Sequence, residues 1–287
     1  MPATICALRV HKEKEVLPIL CACRSFSIGS AKYTRAMSTK AQLKALRDLH
    51  HKKNRMEHRR FIVQGSKLVA ELLGSSFAVE SIHTTAEAAD RMRLPNAEVL
   101  PDHELARLGT LEHGNEVVAV VHMPTWPELG SLDTDELVLA LDGISDPGNL
   151  GTVLRIADWF GIGRVLCSTD SVDVFNPKCV QSSMGSIFRV QVHYVDLPER
   201  LAALRAKGAA LHIASMEGRA VTAMQLKRPT VLVLGSESHG VSAAVRALQG
   251  ELVAVPRYGQ AESLNVAMAA SALCMEYARQ HSVGGEH

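Results

Sequence analysis

The sequence predicts an α/β protein built from two domains. Short β-rich apolar runs alternate with segments of helical spacing between residues 61 and 280, which is the pattern of strands that pack against helices. The chain has 287 residues and is 47 % hydrophobic, enough for two domains of ordinary size with cores of their own. A polar stretch containing prolines and a glycine, residues 124–135, interrupts the pattern and is predicted to be a linker.

The first domain, residues 40–123, is predicted to be a small α/β unit. Alternating apolar residues predict strands, and helical spacing predicts helices. The strands are expected at residues 61–65, 77–84, 97–100 and 116–122, and the helices at residues 66–73, 86–93 and 103–108. Leu43, Leu46 and Leu49 give the preceding residues part of a helical apolar edge.

Residues 40–60 are rich in cations, although the whole chain carries a net charge of only +1. Such a cluster is a natural contact for the phosphates of a nucleic acid, and an ordinary solvated surface is the alternative. The candidate nucleic-acid-binding residues are Lys44, Arg47, Lys52, Lys53, Arg55 and Arg59.

The segment ahead of this cluster, residues 1–39, is basic and poor in acidic residues. We expect a disordered leader or residues upstream of the natural start, because Met37 opens the recognisable part of the protein; an organelle transit segment is the alternative. Residues 282–287 are predicted to form a polar tail. No apolar run approaches the roughly 20 residues of a membrane span, so we expect a soluble protein, cytoplasmic unless the leader is a transit segment.

The cysteines are scattered along the chain and do not form a metal-binding pattern. Cys21 and Cys23 are an isolated C-x-C pair without nearby ligand histidines. We therefore expect no metal site, and we expect buried, reduced thiols in an intracellular protein.

The second domain, residues 136–281, is predicted to repeat a strand–helix pattern. Strands are expected at residues 137–141, 164–168, 190–195, 210–215, 230–234 and 252–255. Helices are expected from about residue 150, at residues 176–190, 198–207 and 241–248, and from Ser263 onward. The run at residues 230–234 is apolar throughout, as in the centre of a parallel sheet.

Three stretches of this domain each place a loop with glycines or polar residues directly after a predicted strand and ahead of a predicted helix. They read DGISDPGNLGTVLRIADWFGIGRVL at residues 142–166, GSESHG at residues 235–240 and VPRYGQAESLNVAMAAS at residues 255–271. A glycine between a strand and a helix lets a ligand approach the backbone closely. The loops contain neither the G-x-G-x-x-G of a dinucleotide fold nor the G-K-[ST] of a P-loop.

Arg155 has two interpretations. It lies off the apolar stripe of its predicted helix and three residues before Asp158, so the two side chains can form a surface ion pair. Alternatively, Arg155 is aimed at a phosphate or a ribose.

Ser238 suggests a competing function, because residues 236–240 are one residue away from the G-x-S-x-G elbow of hydrolases. A catalytic triad would need an acid and a histidine later in the chain. His239 is adjacent to the serine, and the remaining later histidines, His281 and His287, lie in the polar C-terminal region. The pattern therefore does not favour a hydrolase.

The last predicted helix is apolar on two faces. One face contains Val266, Ala270, Leu273 and Tyr277, and the other contains Met268, Ala272 and Met275. A helix that is apolar nearly all round is buried in a core or against another subunit. Glu262, Ser263 and Asn265 lie where the helix start offers unpaired N–H groups, and Ser263 can serve as the N-cap.

The three loops resemble, in order, the three signatures of the SpoU (TrmH-type) RNA 2′-O-ribose methyltransferases, members of the SPOUT superfamily. The first signature contains Asn149 and Arg155, the second contains Glu237, and the third is ESLNVAMAAS at residues 262–271. Residues 44–73 resemble the substrate-binding domain that precedes the catalytic domain in many members.

The resemblance implies an enzyme that methylates a ribose 2′-hydroxyl of RNA with S-adenosyl-L-methionine. It implies an α/β-knot domain, a mostly parallel sheet with a trefoil knot, that works as a homodimer without a metal. It also implies that backbone groups around Gly235, Val255 and Leu264 hold the cofactor. The implied methyl-transfer site consists of Asn149, Arg155, Glu237, Ser263 and Asn265.

The RNA substrate and one residue role stay open. The substrate-binding domain favours 23S-type large-subunit ribosomal RNA at a single-stranded loop, where a ribose can be presented. A transfer-RNA methyltransferase and a non-catalytic RNA-binding assembly factor are the alternatives. Arg155 is interpreted either as the base for the hydroxyl proton or as a clamp on the 3′-phosphate, since an arginine side chain is reluctant to lose its proton.

Overall fold

The computed structural model describes residues 39–94, 96–109 and 116–281. The predicted tail lies outside the described residues, and so does the predicted leader except for Thr39, which caps the first helix. Within the described chain, no helix is long and apolar enough to cross a membrane.

The first half of the described chain contains a four-stranded sheet with helices packed around it. Its elements are α1 (Lys40–Asp48), α2 (Lys52–His58), β1 (Arg60–Gln64), α3 (Ser66–Leu73), β2 (Val79–Thr84), α4 (Ala86–Met92), β3 (Glu98–Val99), α5 (Asp102–Leu108) and β4 (Val117–His122). The strand order is β1-β4-β2-β3, antiparallel except for the parallel pair β2 and β3. β4 is buried along nearly its whole length because it lies inside the sheet.

The second half contains a six-stranded sheet. Its elements are β5 (Leu137–Asp142), α6 (Pro147–Trp159), β6 (Arg164–Ser168), α7 (Pro177–Ser182), β7 (Gln191–Val195), α8 (Leu197–Ala206), β8 (Ala210–Ala220), β9 (Thr230–Gly235), α9 (Ala243–Arg246), β10 (Glu251–Ala254) and α10 (Val266–His281), with 3-10 turns at Ser186–Phe188 and Val221–Ala223. The strand order is β10-β8-β9-β5-β6-β7, and every neighbouring pair is parallel. The prediction of an α/β fold with a mostly parallel sheet is confirmed.

Two helices begin about three residues away from their predicted starts, and a side chain caps each of them at the observed start. α6 begins at Pro147 rather than near residue 150, since Asp146 accepts a hydrogen bond from the backbone N–H of Asn149. α10 begins at Val266 rather than at Ser263, since the Oδ1 atom of Asn265 accepts the backbone N–H of Ala267. Asn265, and not Ser263, is therefore the side chain that caps α10.

Other boundaries differ where the chain turns or extends. Residues 176–190 form α7 and a separate 3-10 turn instead of one helix, because Gly185 between them has a φ of 95°, which a helix does not accommodate. β8 continues to Ala220, five residues beyond its predicted end at residue 215. α9 is shorter than the predicted helix at residues 241–248.

A buried ion pair joins the two halves, which also share one hydrophobic core. Arg55 of α2 is only 2 % exposed and donates from Nε and Nη2 to Oδ2 of Asp173, at 2.9 and 2.7 Å. Its Nη1 atom donates to the carbonyl oxygens of Leu49 and His50. The prediction that Arg55 contacts nucleic acid is therefore wrong, because its guanidinium is fully engaged inside the protein.

Helices α6 and α7 pack so closely that Gly151 has no room for a side chain. A Cβ atom at this position would lie 2.5 Å from the carbonyl oxygen of Cys179 and 3.0 Å from the backbone nitrogen of Ser183. Backbone atoms of a neighbouring helix cannot move aside without shifting the whole helix. A glycine is therefore required where these helices cross.

We expect Gly151→Ala to lower the free energy of unfolding by about 1–3 kcal/mol, the usual cost of an added methyl group in a packed interior. Urea denaturation would measure the change. Gly163→Ala is the matched control, since nothing lies within 4 Å of a Cβ atom built there. Equal denaturation midpoints for the two variants would contradict the close contact between α6 and α7.

Candidate functional site

A cavity of about 450 Å³ opens where β9 and β10 end, beside the middle of β8. Loops at the carboxyl ends of parallel strands are the usual place for a ligand in such sheets. The three predicted cofactor-binding residues, Gly235, Val255 and Leu264, all line this cavity. Glu237 and Ser263 line it as well, while the beginning of α10 closes one side.

Gly235 allows the wall of the cavity to fold tightly on itself. A Cβ atom at Gly235 would lie 2.1 Å from the carbonyl carbon of Gly240. The backbones of Ser236 and Gly240 exchange two hydrogen bonds across this turn, at 3.1 and 2.9 Å. The loop that carries Glu237 is therefore a closed, hydrogen-bonded turn that only a glycine at position 235 permits.

The structure brings together three predicted catalytic residues from distant parts of the sequence. Asn149 at the start of α6 donates from Nδ2 to Oε1 of Glu237 at 2.9 Å. Asn265, ahead of α10, donates from Nδ2 to the same oxygen at 2.6 Å and to Oδ1 of Asn149 at 3.0 Å. We call this group the amide–carboxylate cluster. It borders the cavity through Glu237.

Asp146 and Lys178 hold the start of α6 in place beneath the cluster. The Oδ1 atom of Asp146 accepts the N–H of Asn149 at 2.9 Å, and its Oδ2 atom accepts a hydrogen bond from Nζ of Lys178 at 2.7 Å. The hydrogen bond from Lys178 lowers the pKa of the Asp146 carboxyl group. This pair is not predicted from the sequence, although Asp-Pro ahead of a helix is a recognisable start signal.

Arg155 lies on α6 with its side chain exposed to solvent. In the part of the chain that the structure describes, its guanidinium has no hydrogen-bond or ion-pair partner. The interpretation of an ion pair with Asp158 is wrong, because Asp158 binds Arg189 at 2.8 Å and the hydroxyl of Ser186 at 2.7 Å. Burial acts to raise the pKa of Asp158, but these hydrogen bonds hold the pKa below its usual range.

The predicted nucleic-acid-binding cations other than Arg55 are exposed. They lie on α1 and α2, except Arg59, whose guanidinium approaches the carbonyl oxygen of Pro124 and the hydroxyl of Thr125 at 3.3 Å. The side chains without such a contact are Lys44, Arg47, Lys52 and Lys53. They form an exposed cationic surface on α1 and α2.

The middle of β8 contributes cavity residues that are not predicted from the sequence, residues 214–217. No signal in the sequence shows that β8 lies between β9 and β10, so this wall of the cavity was not foreseeable.

Ser238 hydrogen-bonds to Nδ1 of His239 at 2.7 Å, but among the described residues no carboxylate binds this histidine. A Ser-His-acid triad is therefore not assembled here.

The cysteines that the structure describes are buried free thiols, namely Cys167, Cys179 and Cys274. Burial raises the pKa of Cys167 and of Cys274 to about 12. In residues 39–94, 96–109 and 116–281, no group of histidine, cysteine and acidic side chains could hold a metal ion.

Comparison with known proteins identifies the family. Residues 136–275 match the model of the SpoU rRNA Methylase family, and residues 40–121 match the model of the MRM3-like substrate binding domain. The chain is 33 % identical over 240 residues to RlmP of Bacillus subtilis, a 23S rRNA (guanosine(2553)-2′-O)-methyltransferase. The aligned region covers 81 % of this chain and 94 % of RlmP. The chain belongs to the SpoU rRNA methylase family.

Solved structures of SpoU proteins share the fold. A TrmH-family protein from Porphyromonas gingivalis is 37 % identical, with a TM-score of 0.77, over 85 % of this chain and 100 % of that one. AviRb of Streptomyces viridochromogenes, solved with its cofactor AdoMet, is 29 % identical, with a TM-score of 0.77, over 86 % of this chain and 100 % of AviRb. The resemblance found in the sequence is confirmed.

We expect Asp146→Ala to lower the free energy of unfolding by about 1 kcal/mol, because the first turn of α6 loses its cap. Asp146→Asn is the matched control, since asparagine caps a helix as well as aspartate does. Chemical denaturation monitored by circular dichroism would compare the two variants. Equal losses of stability would mean that the ion pair with Lys178, and not the cap, carries the effect.

Proposed function

We propose that this protein transfers a methyl group from S-adenosyl-L-methionine to a ribose 2′-hydroxyl of large-subunit ribosomal RNA. The observation that carries the proposal is the amide–carboxylate cluster of Asn149, Glu237 and Asn265 beside a ligand-sized cavity. The similarity to RlmP over most of both chains supports the ribosomal substrate.

The cavity suits S-adenosyl-L-methionine in size and in chemistry. Its volume lies within the roughly 300–1,000 Å³ of small-ligand pockets, and its lining is mostly apolar. Leu264, Val266 and Leu273 form an apolar wall on which a neutral adenine can lie, while backbone groups near Gly235 and Val255 can supply hydrogen bonds. When bound, the cofactor supplies a methyl group activated by its sulfonium centre, which leaves as a neutral thioether.

In this proposal the amide–carboxylate cluster positions the ribose. Glu237 accepts both amide hydrogen bonds at Oε1, so its Oε2 atom has no partner within the described chain. Asn149 donates one of its two amide hydrogens to Glu237 and keeps the other available. One acceptor and one donor therefore remain for ribose hydroxyls, with Ser263 beside them on the cavity wall. Holding the 2′-oxygen in line with the methyl group is the main demand of the reaction.

Arg155 is proposed to act on the RNA. Its guanidinium is a cation with no partner among the described residues, and it lies on the same helix as Asn149. Such a group can bind the phosphate next to the target ribose and stabilise negative charge that develops on the 2′-oxygen. Uptake of the hydroxyl proton by Arg155 remains the second interpretation.

We propose that residues 40–123 act as the RNA-binding domain. The match of residues 40–121 to a substrate-binding model and the exposed cations Lys44, Arg47, Lys52 and Lys53 support this role. The match also favours ribosomal RNA, while transfer RNA stays an outcome for the assay below. Localisation in the cytoplasm remains a prediction.

We also propose that the second half contains a trefoil knot. Three chain segments converge on the cavity, residues 214–217, 234–240 and 253–264. The last of them leaves β10 at the edge of the sheet and returns past the β9 loop to α10. This return of the chain supports a threaded path.

A homodimer is the proposed quaternary state. Met268 and Met275 of α10 are 62 % and 59 % exposed, on the helix face opposite to the buried Ala270 and Leu273. Together with Leu264, they expose apolar surface next to the proposed active site. An apolar helix face of this kind supports contact with a second copy.

We expect Asn149→Ala, Arg155→Ala and Glu237→Ala each to lower methylation of ribosomal RNA by about a hundredfold or more, because positioning and charge stabilisation at the 2′-oxygen are lost. The measurement is transfer of label from S-adenosyl-L-methionine to total RNA, followed by size separation and mapping of the 2′-O-methyl group. Ser238→Ala is the control and should retain activity, because within the described residues its hydroxyl hydrogen-bonds only to His239.

Each result of this assay has a distinct meaning. Label in transfer RNA would keep the methyltransferase but overturn the ribosomal substrate. Cofactor binding without labelling of any RNA would favour an RNA-binding assembly factor. Absence of both labelling and cofactor binding would overturn the proposed activity.

The double change Met268→Glu and Met275→Glu is expected to convert the dimer to a monomer, because charges would replace the apolar contact. Size-exclusion chromatography with light scattering would report the mass. Leu73→Glu, at an exposed leucine of α3, is the control and should leave the mass unchanged. A wild-type monomer, or a double variant that stays dimeric, would contradict this interface.

A further inference from the structure

Trp159 at the end of α6 is 85 % exposed. The chain has only two tryptophans, and the other, Trp126, is half-buried against Phe77 with ring centroids 5.8 Å apart. Single exposed apolar residues are common, but tryptophan is usually well buried because of its size. The exposed indole ring of Trp159 is therefore a candidate contact for a ligand that binds along α6.

Trp159 belongs to a stripe of α6 that is half-buried at Gly148 and Thr152 and exposed at Arg155 and Trp159, and that leads away from the amide–carboxylate cluster. Gly148, Thr152, Arg155 and Trp159 follow one another at steps of three or four residues, which places them on one helix face. The stripe begins next to Asn149. At 1.5 Å per residue, Trp159 lies roughly 15 Å along the helix axis from Asn149. An RNA strand whose ribose reaches the cluster can extend along this face.

The charge of the stripe suits a nucleic acid. Arg155 is a cation without a partner among the described residues and lies one turn before Trp159. The neighbouring carboxylate of Asp158 is held by Arg189 and by the hydroxyl of Ser186. The free charge nearest to the indole ring on this stripe is therefore positive, as a phosphate contact requires.

We infer that Trp159 is a stacking platform for a base of single-stranded RNA near the target nucleotide. The inference rests on the proposed function, and it assigns the stripe from Gly148 to Trp159 as the path of the strand. Aromatic side chains bind unpaired bases by stacking, with little dependence on base identity. A second copy of the chain is the competing occupant, but the unpaired cation and the continuity with the cluster favour RNA.

Intrinsic fluorescence tests the inference independently of catalysis. Trp126→Phe leaves Trp159 as the only tryptophan and retains an aromatic ring against Phe77. A short single-stranded RNA oligonucleotide of mixed sequence, added to this full-length variant, is expected to quench the emission. The same sequence as a duplex should quench less, because its bases are already stacked. Binding itself is followed by fluorescence anisotropy of labelled RNA.

Substitution of the ring measures its contribution. Trp159→Ala is expected to weaken binding of the single-stranded oligonucleotide by roughly ten- to a hundredfold, whereas Trp159→Phe should keep most of the affinity. In the methylation assay, Trp159→Ala should raise KM for RNA with little change in kcat. Circular dichroism melting would show that both variants fold.

The outcomes separate this inference from the function on which it rests. Binding without quenching, or equal affinity of Trp159→Ala and wild type, would overturn the stacking platform alone. Dissociation of the dimer by Trp159→Ala would assign the ring to the subunit contact and overturn the inference as well. Absence of RNA binding by the wild-type protein would overturn the proposed function together with it.

Discussion

The architecture of the site depends on one carboxylate, Glu237, which accepts hydrogen bonds from two amides that are far away in the sequence. Asn149 is 88 residues before it and Asn265 is 28 residues after it. Each of the three side chains lies in a segment that follows a strand of the same parallel sheet, namely β5, β9 and β10, so the hydrogen bonds depend on the assembled sheet. Because all three loops leave the carboxyl edge of the sheet, the cluster inherits the rigidity of the sheet. A preorganised arrangement of this kind is what alignment of a reacting hydroxyl requires.

The contact between the two halves is the second constraint on the structure. It combines apolar packing in a shared hydrophobic core with a buried ion pair. Phe61 of β1 stacks on Phe175 with ring centroids 4.6 Å apart, next to the buried pair of Arg55 and Asp173. Removing one partner of a buried pair leaves an uncompensated charge, which is far more costly than loss of a surface pair. At the surface, Arg189 binds both Glu71 of α3 and Asp158 of α6. The helix that carries Asn149 is thereby tied to the domain that carries the exposed cations.

The sequence predicted those features that are encoded locally. Apolar periodicity predicted every strand and nearly every helix of the described residues. The cluster and the cavity residues Gly235, Val255 and Leu264 were implied by the resemblance of three motifs to the SpoU signatures and not by local patterns. The errors concern residues whose partners lie far along the chain. Arg55 was grouped with the solvated cations because its partner Asp173 is 118 residues away. One of the two interpretations of Arg155 pairs it with Asp158 on the same helix, but a guanidinium 31 residues further on binds that carboxylate. The cavity residues 214–217 of β8 were not predicted, because strand order is a property of the folded sheet.

The tie between the halves has a consequence for how RNA is selected. If the substrate-binding domain were on a free tether, its cations would raise the local concentration of RNA without fixing which ribose is presented. Here a shared core, a buried ion pair and the contacts of Arg189 connect the base of α2 and α3 to the elements beside α6. The distance from the exposed cations to the amide–carboxylate cluster is then a property of the fold. Under the proposed function, such a fixed distance favours an RNA whose folded shape spans it, without contact with the edge of a particular base.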